Sequence, residues 1–423
     1  MKNTVRSNNK FTRNVLTLMT GTTIAQAIPI AISPLLTRIY KPEDFGLMAL
    51  FMSISTVFGA VANGRYELAI MLPDKEEDAY HISALGLIIS LTLALTLLIV
   101  IILFNSMIVE LIGNEDIAGW LYLIPFTVFF IGLYNILNYL NNRLGEYKSI
   151  AKSNVYKSLS LSLVQLTTGL FKSGSFGLIY GYIVAQMVVN IQLLVTAMKT
   201  RSYRTEYRFS PRRMKELGKR YIRFPQFSMF AILANTLSTN LTNILISTFY
   251  SVSSLGYYSF VNRVLGMPTT LIGGAIGQVF FREAVAERKL TGKAAKSFDS
   301  ALKKLIILAV PMFLSIYFII EDTFEIIFGA EWRIAGTYGK ILIPYFFIRF
   351  ISGSLSNLNN VFEKQKLALT WQVTLLILSL TIIMFGNMSQ WEFQQYLTVF
   401  SCVISLHYLV LLYILHLVSR GRI

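Results

Sequence analysis

Twelve stretches of about twenty mostly apolar residues follow one another along the chain, separated by short polar segments. A run of this length crosses the hydrocarbon core of a bilayer as a helix. The pattern predicts twelve membrane-spanning helices, which we number spans 1 to 12. They cover 15–37, 45–64, 80–104, 117–140, 150–171, 176–198, 224–249, 254–281, 301–320, 337–360, 367–386 and 394–418. The connections are short, so the pattern predicts no separate soluble domain.

The composition agrees with a membrane protein. Of the 423 residues, 54% are hydrophobic and 14% are charged, whereas soluble domains carry roughly 25% charged residues. The apolar content excludes intrinsic disorder. The single cysteine, Cys402, excludes a disulfide framework and is expected to be a buried apolar residue. The first apolar run exceeds the core of a cleavable signal peptide, so we expect it to remain as span 1.

The formal net charge of +16 is unevenly shared between the two sides of the predicted membrane. With a cytoplasmic N-terminus, 31 of the 38 Lys and Arg residues lie on the cytoplasmic side and five on the other, while Arg263 and Arg349 lie within spans. Basic loops stay in the cytoplasm during insertion, which predicts that both termini are cytoplasmic. These loops also suit anionic lipids. They lack interleaved stacking aromatics, so we expect no nucleic-acid partner.

An internal repeat relates the two halves of the chain. Short motifs recur in the same order, at offsets between 210 and 219 residues. The pairs are Ile39-Tyr40 with Phe249-Tyr250, 111–115 with 327–331, 123–125 with 342–344, and 140–142 with 358–360. Each copy holds six spans, so both copies have the same orientation in the membrane, which is a transporter architecture.

The predicted fold is therefore an all-α polytopic membrane protein with two six-helix lobes related by a parallel repeat. We expect an N-lobe at 1–200, a basic cytoplasmic linker at 201–223 and a C-lobe at 224–423. A substrate would bind between the lobes near mid-membrane, and rocking of one lobe against the other would give alternating access.

Polar residues follow one face of the first span of each lobe. They are Thr22, Gln26, Ser33 and Thr37 on span 1, and Asn235, Thr239 and Thr242 on span 7, with Asn240 and Asn243 nearby. Hydrogen bonding between helices explains single Ser and Thr residues. Two stripes on repeat-related helices instead favour a shared polar cavity, with Gln26, Asn235 and Asn240 as candidate ligands.

The intramembrane arginines are sharper candidates. Placing an arginine at mid-membrane costs at least about 2.5–3.5 kcal/mol, so it needs a partner, water or an anionic ligand. No span offers an acid at the depth of Arg263 or Arg349, and a ligand anion or water is favoured. Arg263 is the stronger candidate because span 8 adjoins the polar stripe of span 7. Arg65 can instead pair with Glu67, and Arg38 can extend to the membrane interface. For both residues these alternatives to ligand binding remain open.

Signatures of enzymes are absent from the sequence. The histidines are His81, His407 and His416, and their spacing cannot assemble a metal site. No phosphate-cradling GxxxxGK[ST] motif occurs. We therefore expect no catalysis, no metal and no cofactor. Transport energy would come from an ion gradient, the membrane potential or downhill flow of substrate.

The segment 35–46, LLTRIYKPEDFG, and the segment 64–70, GRYELAI, resemble bacterial polysaccharide flippases. These are the Wzx-type members of the multidrug/oligosaccharidyl-lipid/polysaccharide (MOP) exporter superfamily. The likeness extends over the chain, through twelve helices, two lobes and the basic loop between them.

This resemblance implies a MATE-like, V-shaped pair of bundles whose central cavity is lined by spans 1, 2, 7 and 8. It implies an undecaprenyl-diphosphate-linked oligosaccharide as cargo, flipped across the bacterial inner membrane for O-antigen, capsule or exopolysaccharide assembly. Arg263, Arg65 and Arg38 would hold the diphosphate, while Arg349 lies in a span that the family usually places outside the cavity. Membrane lipids and polysaccharide polymerase machinery are the implied partners of a monomeric chain.

Three alternatives remain open. A cation-coupled drug antiporter of the superfamily would carry a buried acid on span 1 or 7, and neither 15–37 nor 224–249 contains one. A lipid II flippase usually has fourteen helices and several arginines on its first two. A membrane polymerase or acyltransferase would need a large outer loop with catalytic residues, whereas the outer loops here are short and lack histidine.

Overall fold

The computed structural model describes residues 2–171, 174–200 and 210–422, with side chains from residue 17 onward. Within these ranges the chain is almost entirely helical. The helices of ten or more residues are α1 (Lys2–Ile39), α2 (Pro42–Gly59), α3 (Glu76–Ile112), α4 (Ile124–Arg143), α5 (Tyr147–Leu170), α6 (Ser175–Lys199), α7 (Pro211–Arg220), α8 (Met229–Phe249), α9 (Val252–Pro268), α10 (Gly274–Thr291), α11 (Ala295–Phe328), α12 (Arg333–Leu355), α13 (Gln365–Met388) and α14 (Phe393–Ser419).

About twelve spanning helices are present, as predicted. In the described part of the chain, ten helical segments are long and apolar enough to cross a membrane. The other two predicted spans, 2 and 5, correspond to α2 and α5. α2 is a short helix of 18 residues with eleven buried. α5 is more polar because three lysines fall in its first half.

Large apolar side chains are exposed along the outer faces of the long helices, among them Leu103, Phe318 and Met388. Such a surface would drive association in water, whereas lipid chains solvate it. Cys402 is also exposed, on α14, so the expectation of a buried cysteine was wrong. An apolar residue of a spanning helix needs no protein neighbour, because lipid provides an apolar environment as well.

The chain divides into two compact units, residues 1–236 and 237–423, and the boundary falls within α8. The predicted lobe limits at 200 and 224 stay a prediction. Residues 201–209 of the predicted linker lie outside the described residues.

Close helix packing holds each unit together. In unit 1, α1 packs along α5 and α5 along α6. A Cβ atom added at Gly21 of α1 would lie 2.6 Å from the Cβ of Ala151 in α5. In unit 2, α12 packs against α9, α11 and α14, and a Cβ added at Gly336 would lie 2.7 Å from the Cα of Glu321. Small residues at these crossings let the backbones approach.

One turn shows the internal repeat in atomic detail. After α4, Glu146 N–H donates to the carbonyl of Asn141 at 2.9 Å, across Gly145 with φ +75°. At an offset of 218 residues, Lys364 N–H donates to the carbonyl of Asn359 at 2.8 Å, across Glu363 with φ +58°. This left-handed helix stop is the same in both units. The sequence match at 140–142 and 358–360 therefore reflects a shared structure.

The amphipathic helix α7 is docked on unit 1. Arg213 donates from Nε and Nη2 to the two carboxylate oxygens of Asp78, both at 2.8 Å. The hydrogen bonds to Asp78 and Glu216 raise the pKa of Arg213. Leu217 of α7 is buried. Tyr66 Oη donates to the carbonyl of Gly218, the next residue of the helix, at 2.9 Å. The second half of the predicted linker is thus an ordered helix attached to unit 1.

Span 8 is interrupted in its middle. α9 ends at Pro268, a π-helical turn covers Thr269–Gly273, and α10 continues from Gly274. Proline cannot donate to the preceding turn and its ring clashes there, so it bends or re-registers a helix. In span 8 the change of register takes the form of the π-helical turn directly after Pro268.

Candidate substrate-binding residues

Arg65 lies in the turn after α2, and the structure pairs it with an acid. Its Nη1 is 3.0 Å from Oε1 of Glu67, which is only 2% exposed. Arg65 has φ +65°, a left-handed conformation that side chains rarely adopt. The ion pair cancels the net charge at this position, while Nε of Arg65 and Oε2 of Glu67 keep no hydrogen-bond partner. Of the two predicted readings, pairing with Glu67 is therefore present in the structure.

The polar stripe of α1 splits into two groups. Ser33 and Thr37 are buried and donate to carbonyls one turn earlier in their own helix, those of Ile30 and Pro34. Their hydroxyl donors are thus used locally. Gln26 and Arg38 are exposed in the structure. The ligand roles predicted for Gln26 and Arg38 stay predictions.

The α8 stripe has a similar division. Asn235 and Asn240 are half-buried on this helix, and the side-chain amide of Asn240 donates to the hydroxyl of Thr239 at 3.2 Å. Thr242 is buried and donates to the carbonyl of Ser238. Asn235 and Asn240 thus place side-chain amides on this helix, each with two N–H donors and one acceptor oxygen.

Arg263 is the strongest of the predicted candidates. It is half-buried on α9, eleven residues after Val252 and hence about 17 Å along the helix axis. Among the residues that the structure describes, no carboxylate or hydrogen-bond acceptor contacts its guanidinium. Five N–H donors at this depth lack protein partners, so the position demands water or an anion.

Lys157 is a further half-buried cation, and it lies within predicted span 5. It lies ten residues into α5, about 15 Å from the start of the helix, and is half-buried. Its Nζ sits 5.1 Å from the ring centroid of Tyr134. Within the described chain no carboxylate pairs with it. Its place within predicted span 5 was the signal that could have found it.

Arg349 occupies a different environment, inside unit 2. Its Nη1 donates to Tyr345 Oη at 2.6 Å, and its guanidinium lies 5.5 Å from the centroid of the same ring. It lines a cavity of about 490 Å³ together with residues of α10, α13 and α14. Arg349 thus has an aromatic hydroxyl as its partner, whereas Arg65 has a carboxylate and Arg263 has neither among the described residues.

A model of the family described as "Polysaccharide biosynthesis protein" matches residues 35–335, which is most of the chain. The chain belongs to this family. The matched range starts at the segment that carries the sequence resemblance, and it includes Arg38, Arg65, Lys157 and Arg263.

One relative of this polysaccharide biosynthesis protein is the "Succinoglycan biosynthesis transport protein ExoT" of Rhizobium meliloti (strain 1021). The two are 23% identical over 327 residues, which is 77% of this chain. The chain spans 64% of the length of that relative.

Solved structures with the same fold include "Lipid II flippase MurJ, inward closed conformation", with a TM-score of 0.71, 15% identity and coverage of 97% of this chain and 90% of that one. A multidrug resistance MATE transporter of the MOP superfamily, in an inward-facing conformation, has a TM-score of 0.68, 14% identity and coverage of 96% and 94%. At these identities the likeness concerns the fold. It confirms the predicted MOP-type architecture.

No cluster of three or more His, Cys, Asp and Glu side chains that could hold a metal occurs among the described residues of this family member. The chemistry that its intramembrane residues offer is donation of hydrogen bonds and positive charge. Such groups bind anions and hydroxyl-rich ligands.

Proposed function

We propose that the protein flips an undecaprenyl-diphosphate-linked oligosaccharide across the bacterial inner membrane during assembly of a surface polysaccharide. Membership of the polysaccharide biosynthesis family supports this function, as does the fold shared with a lipid-linked precursor flippase. The matched relative is named a transport protein. The cargo would carry a diphosphate, a row of sugar hydroxyls and a lipid tail. These parts need, in turn, positive charge, hydrogen-bonding groups and an apolar surface.

The observation that carries the proposal is the unpartnered Arg263 in a spanning helix. A guanidinium matches the geometry of phosphate oxygens in a bidentate way and stays charged throughout transport. Binding of the diphosphate would supply the counter-charge that no described protein group provides. Lys157 is the candidate cation of unit 1, because its charge is not cancelled as that of Arg65 is by Glu67.

The asparagines of α8 suit the sugar part of the cargo. Asn235 and Asn240 offer donors and acceptors that exchange readily with hydroxyl groups. α1 from residue 17 onward and α8 contain no Asp or Glu. A drug antiporter that binds cations needs an acid at such positions, so this lack favours an anionic cargo.

Transport would follow alternating access between the two repeat-related halves. With both termini and the basic loops in the cytoplasm, the cargo enters from the cytoplasmic leaflet and leaves on the other side. No step requires covalent chemistry from the protein. Neutralisation of the diphosphate by fixed cations lowers the cost of moving it through the low-dielectric region.

Complementation of a flippase-deficient strain tests the function. The wild-type chain and an Arg263→Lys variant should restore surface polymer, the latter in part, whereas Arg263→Ala should abolish it. A matched control is Arg333→Gln, which removes an equal charge from an exposed position on α12. Membrane levels of each variant are measured by immunoblot. Normal polymer with Arg263→Ala would overturn the role of Arg263, and failure of the wild type to restore any polymer would overturn the function.

The fold shared with the lipid II flippase makes peptidoglycan precursor export the second candidate. The same chain is therefore also expressed in cells depleted of their lipid II flippase. Rescue of growth there, without rescue of surface polymer in the first strain, would establish this candidate instead.

A further inference from the structure

Unit 2 contains a cavity of about 490 Å³ that the proposed transport function does not use. Its walls come from the π-helical turn Thr269–Gly273, α10, α12, α13, α14 and the short helix Leu358–Val361. The volume falls within the range of roughly 300–1,000 Å³ that small-molecule sites occupy. The family resemblance places three of these helices, α12 to α14, outside the central cavity.

The cavity is rich in hydrogen-bond donors. One N–H of Arg349 donates to Tyr345 Oη, which leaves the other guanidinium donors for a ligand. The indole Nε1 of Trp371 and the hydroxyl of Thr269 are buried and have no hydrogen-bond partner. The side-chain amides of Asn357 and Gln372 also line it. No Asp or Glu belongs to the lining, so the site has a positive charge and no counter-charge.

The internal repeat shows that this charge is specific to unit 2. At the offset of 218 residues, which relates α4 to α12, Arg349 corresponds to Ile131. In unit 1 a Cβ added at Gly59 would lie 2.8 Å from Cγ2 of Ile131, so an apolar contact fills that position. An apolar side chain thus occupies the position in unit 1 that Arg349 occupies in unit 2.

The cavity reaches the surface at Asn360, which is exposed. Lys364 and Lys366 are exposed just beyond it. Arg288 stacks on Phe362 at 5.0 Å, in the same turn. Arg288 Nη1 also lies 3.6 Å from Oε1 of Glu363, so the positive charge that attracts anions to this rim comes from Lys364 and Lys366.

We propose that this cavity is a second ligand site, which binds a phosphate group through Arg349 and the indole N–H of Trp371. The phosphate belongs either to the headgroup of an anionic lipid or to a free phosphate compound. Both present the same oxygens to a guanidinium fork and a neutral donor. This site is separate from Arg263 and does not depend on the proposed cargo.

Binding to the purified full-length chain in dodecyl maltoside, a detergent without phosphate, tests the site. In one arm, sodium phosphate is titrated against sodium chloride at equal ionic strength and tryptophan fluorescence is recorded. In the other arm, dioleoyl phosphatidylglycerol is titrated and bound lipid is counted by native mass spectrometry. The variants are Arg349→Gln, which removes the charge, and Gly274→Leu, which fills the cavity. A Cβ at Gly274 would meet no atom within 4 Å, so the backbone there has room for a side chain.

Arg282→Gln is the matched control, because it removes an exposed charge from the same unit and does not line the cavity. We expect saturable binding in at least one arm, weakened about tenfold or more in Arg349→Gln and Gly274→Leu and unchanged in Arg282→Gln. Binding of phosphate identifies a free anion, and binding of lipid alone identifies a headgroup. Absence of saturable binding in both arms would overturn the site, and so would wild-type affinity in either cavity variant.

Discussion

At the scale of single residues, the decisive feature is which intramembrane cations have a partner. Arg65 is paired with Glu67 at 3.0 Å, and Arg349 donates to Tyr345. Arg263 and Lys157 contact no carboxylate among the described residues. An unpaired cation at membrane depth is expensive and is retained where it serves a ligand or a hydrated cavity. The presence or absence of a protein partner therefore distinguishes candidate ligand-binding cations better than their position within a span does.

Lys157 leads to a prediction about transport in unit 1. Lys157→Met keeps an unbranched apolar chain on α5 but removes the charge, together with the contact of Nζ with the ring of Tyr134. We expect it to reduce polymer export about tenfold, since a charged hydrogen bond to phosphate is worth at least ~1.5 kcal/mol. Lys157→Arg should retain export. Lys152→Met, an exposed position one turn earlier on α5, is the control. Export by Lys157→Met at the level of this control would exclude a role for the charge.

At the scale of elements, helix α7 and the interrupted span 8 carry the most information. The sequence predicts a basic linker at 201–223, and basic residues outnumber acidic ones in it. Helix α7 nevertheless packs on α3 through Leu217 and the ion pair between Arg213 and Asp78. A residue 135 positions away supplies the carboxylate, and no local pattern indicates such a partner.

The docking of α7 can be tested by hydrogen exchange. Arg213→Ala removes both hydrogen bonds to Asp78 and with them the ion pair that attaches α7 to α3. Amide exchange in 211–220 should therefore become about fivefold faster. Arg212→Ala should leave it unchanged, since Arg212 is 92% exposed and contacts only Glu216 in this helix. Equal exchange in the two variants would mean that Asp78 does not hold α7.

At the scale of the whole molecule, the two halves share an architecture but differ in their interiors. The turn at Gly145 recurs at Glu363 with the same hydrogen bonds. The positions at Ile131 and Arg349 are equivalent in the repeat, yet one packs as an apolar residue and the other lines a cavity. The two halves thus share the arrangement of their helices, whereas equivalent side chains have different surroundings.

The charge distribution predicts the orientation of the whole molecule in the membrane. In a Cys402→Ala background, single cysteines at Lys41 and Ala330 should react with a membrane-impermeant maleimide in intact cells. Cysteines at Lys215 and Lys366 should react only after the cells are opened, because basic segments stay in the cytoplasm. All four positions are exposed. Labelling of Lys215→Cys in intact cells would reverse the orientation.

Contiguous sequence was sufficient for the spans, the repeat and the intramembrane position of Arg263. A spanning helix depends on a local run of apolar residues long enough for the bilayer, and repeats are visible as recurring letters. The twelve predicted windows therefore correspond to helices of the structure. Span 8 was predicted as one continuous segment. The structure instead has two helices, α9 and α10, joined by a π-helical turn after Pro268.

Tertiary structure alone decided which polar groups meet. The pairing of Arg65 with Glu67 depends on a left-handed turn, and the docking of α7 depends on Asp78. The depth of Lys157 depends on where α5 begins, and the cavity at Arg349 on how six segments of unit 2 leave a gap. Hydropathy measures the transfer of each residue into lipid. The docking of α7 and the walls of the cavity instead depend on residues far apart in sequence, and the pair of Arg65 with Glu67 depends on a backbone conformation. The partners of a charge, and hence its function, are therefore fixed by packing.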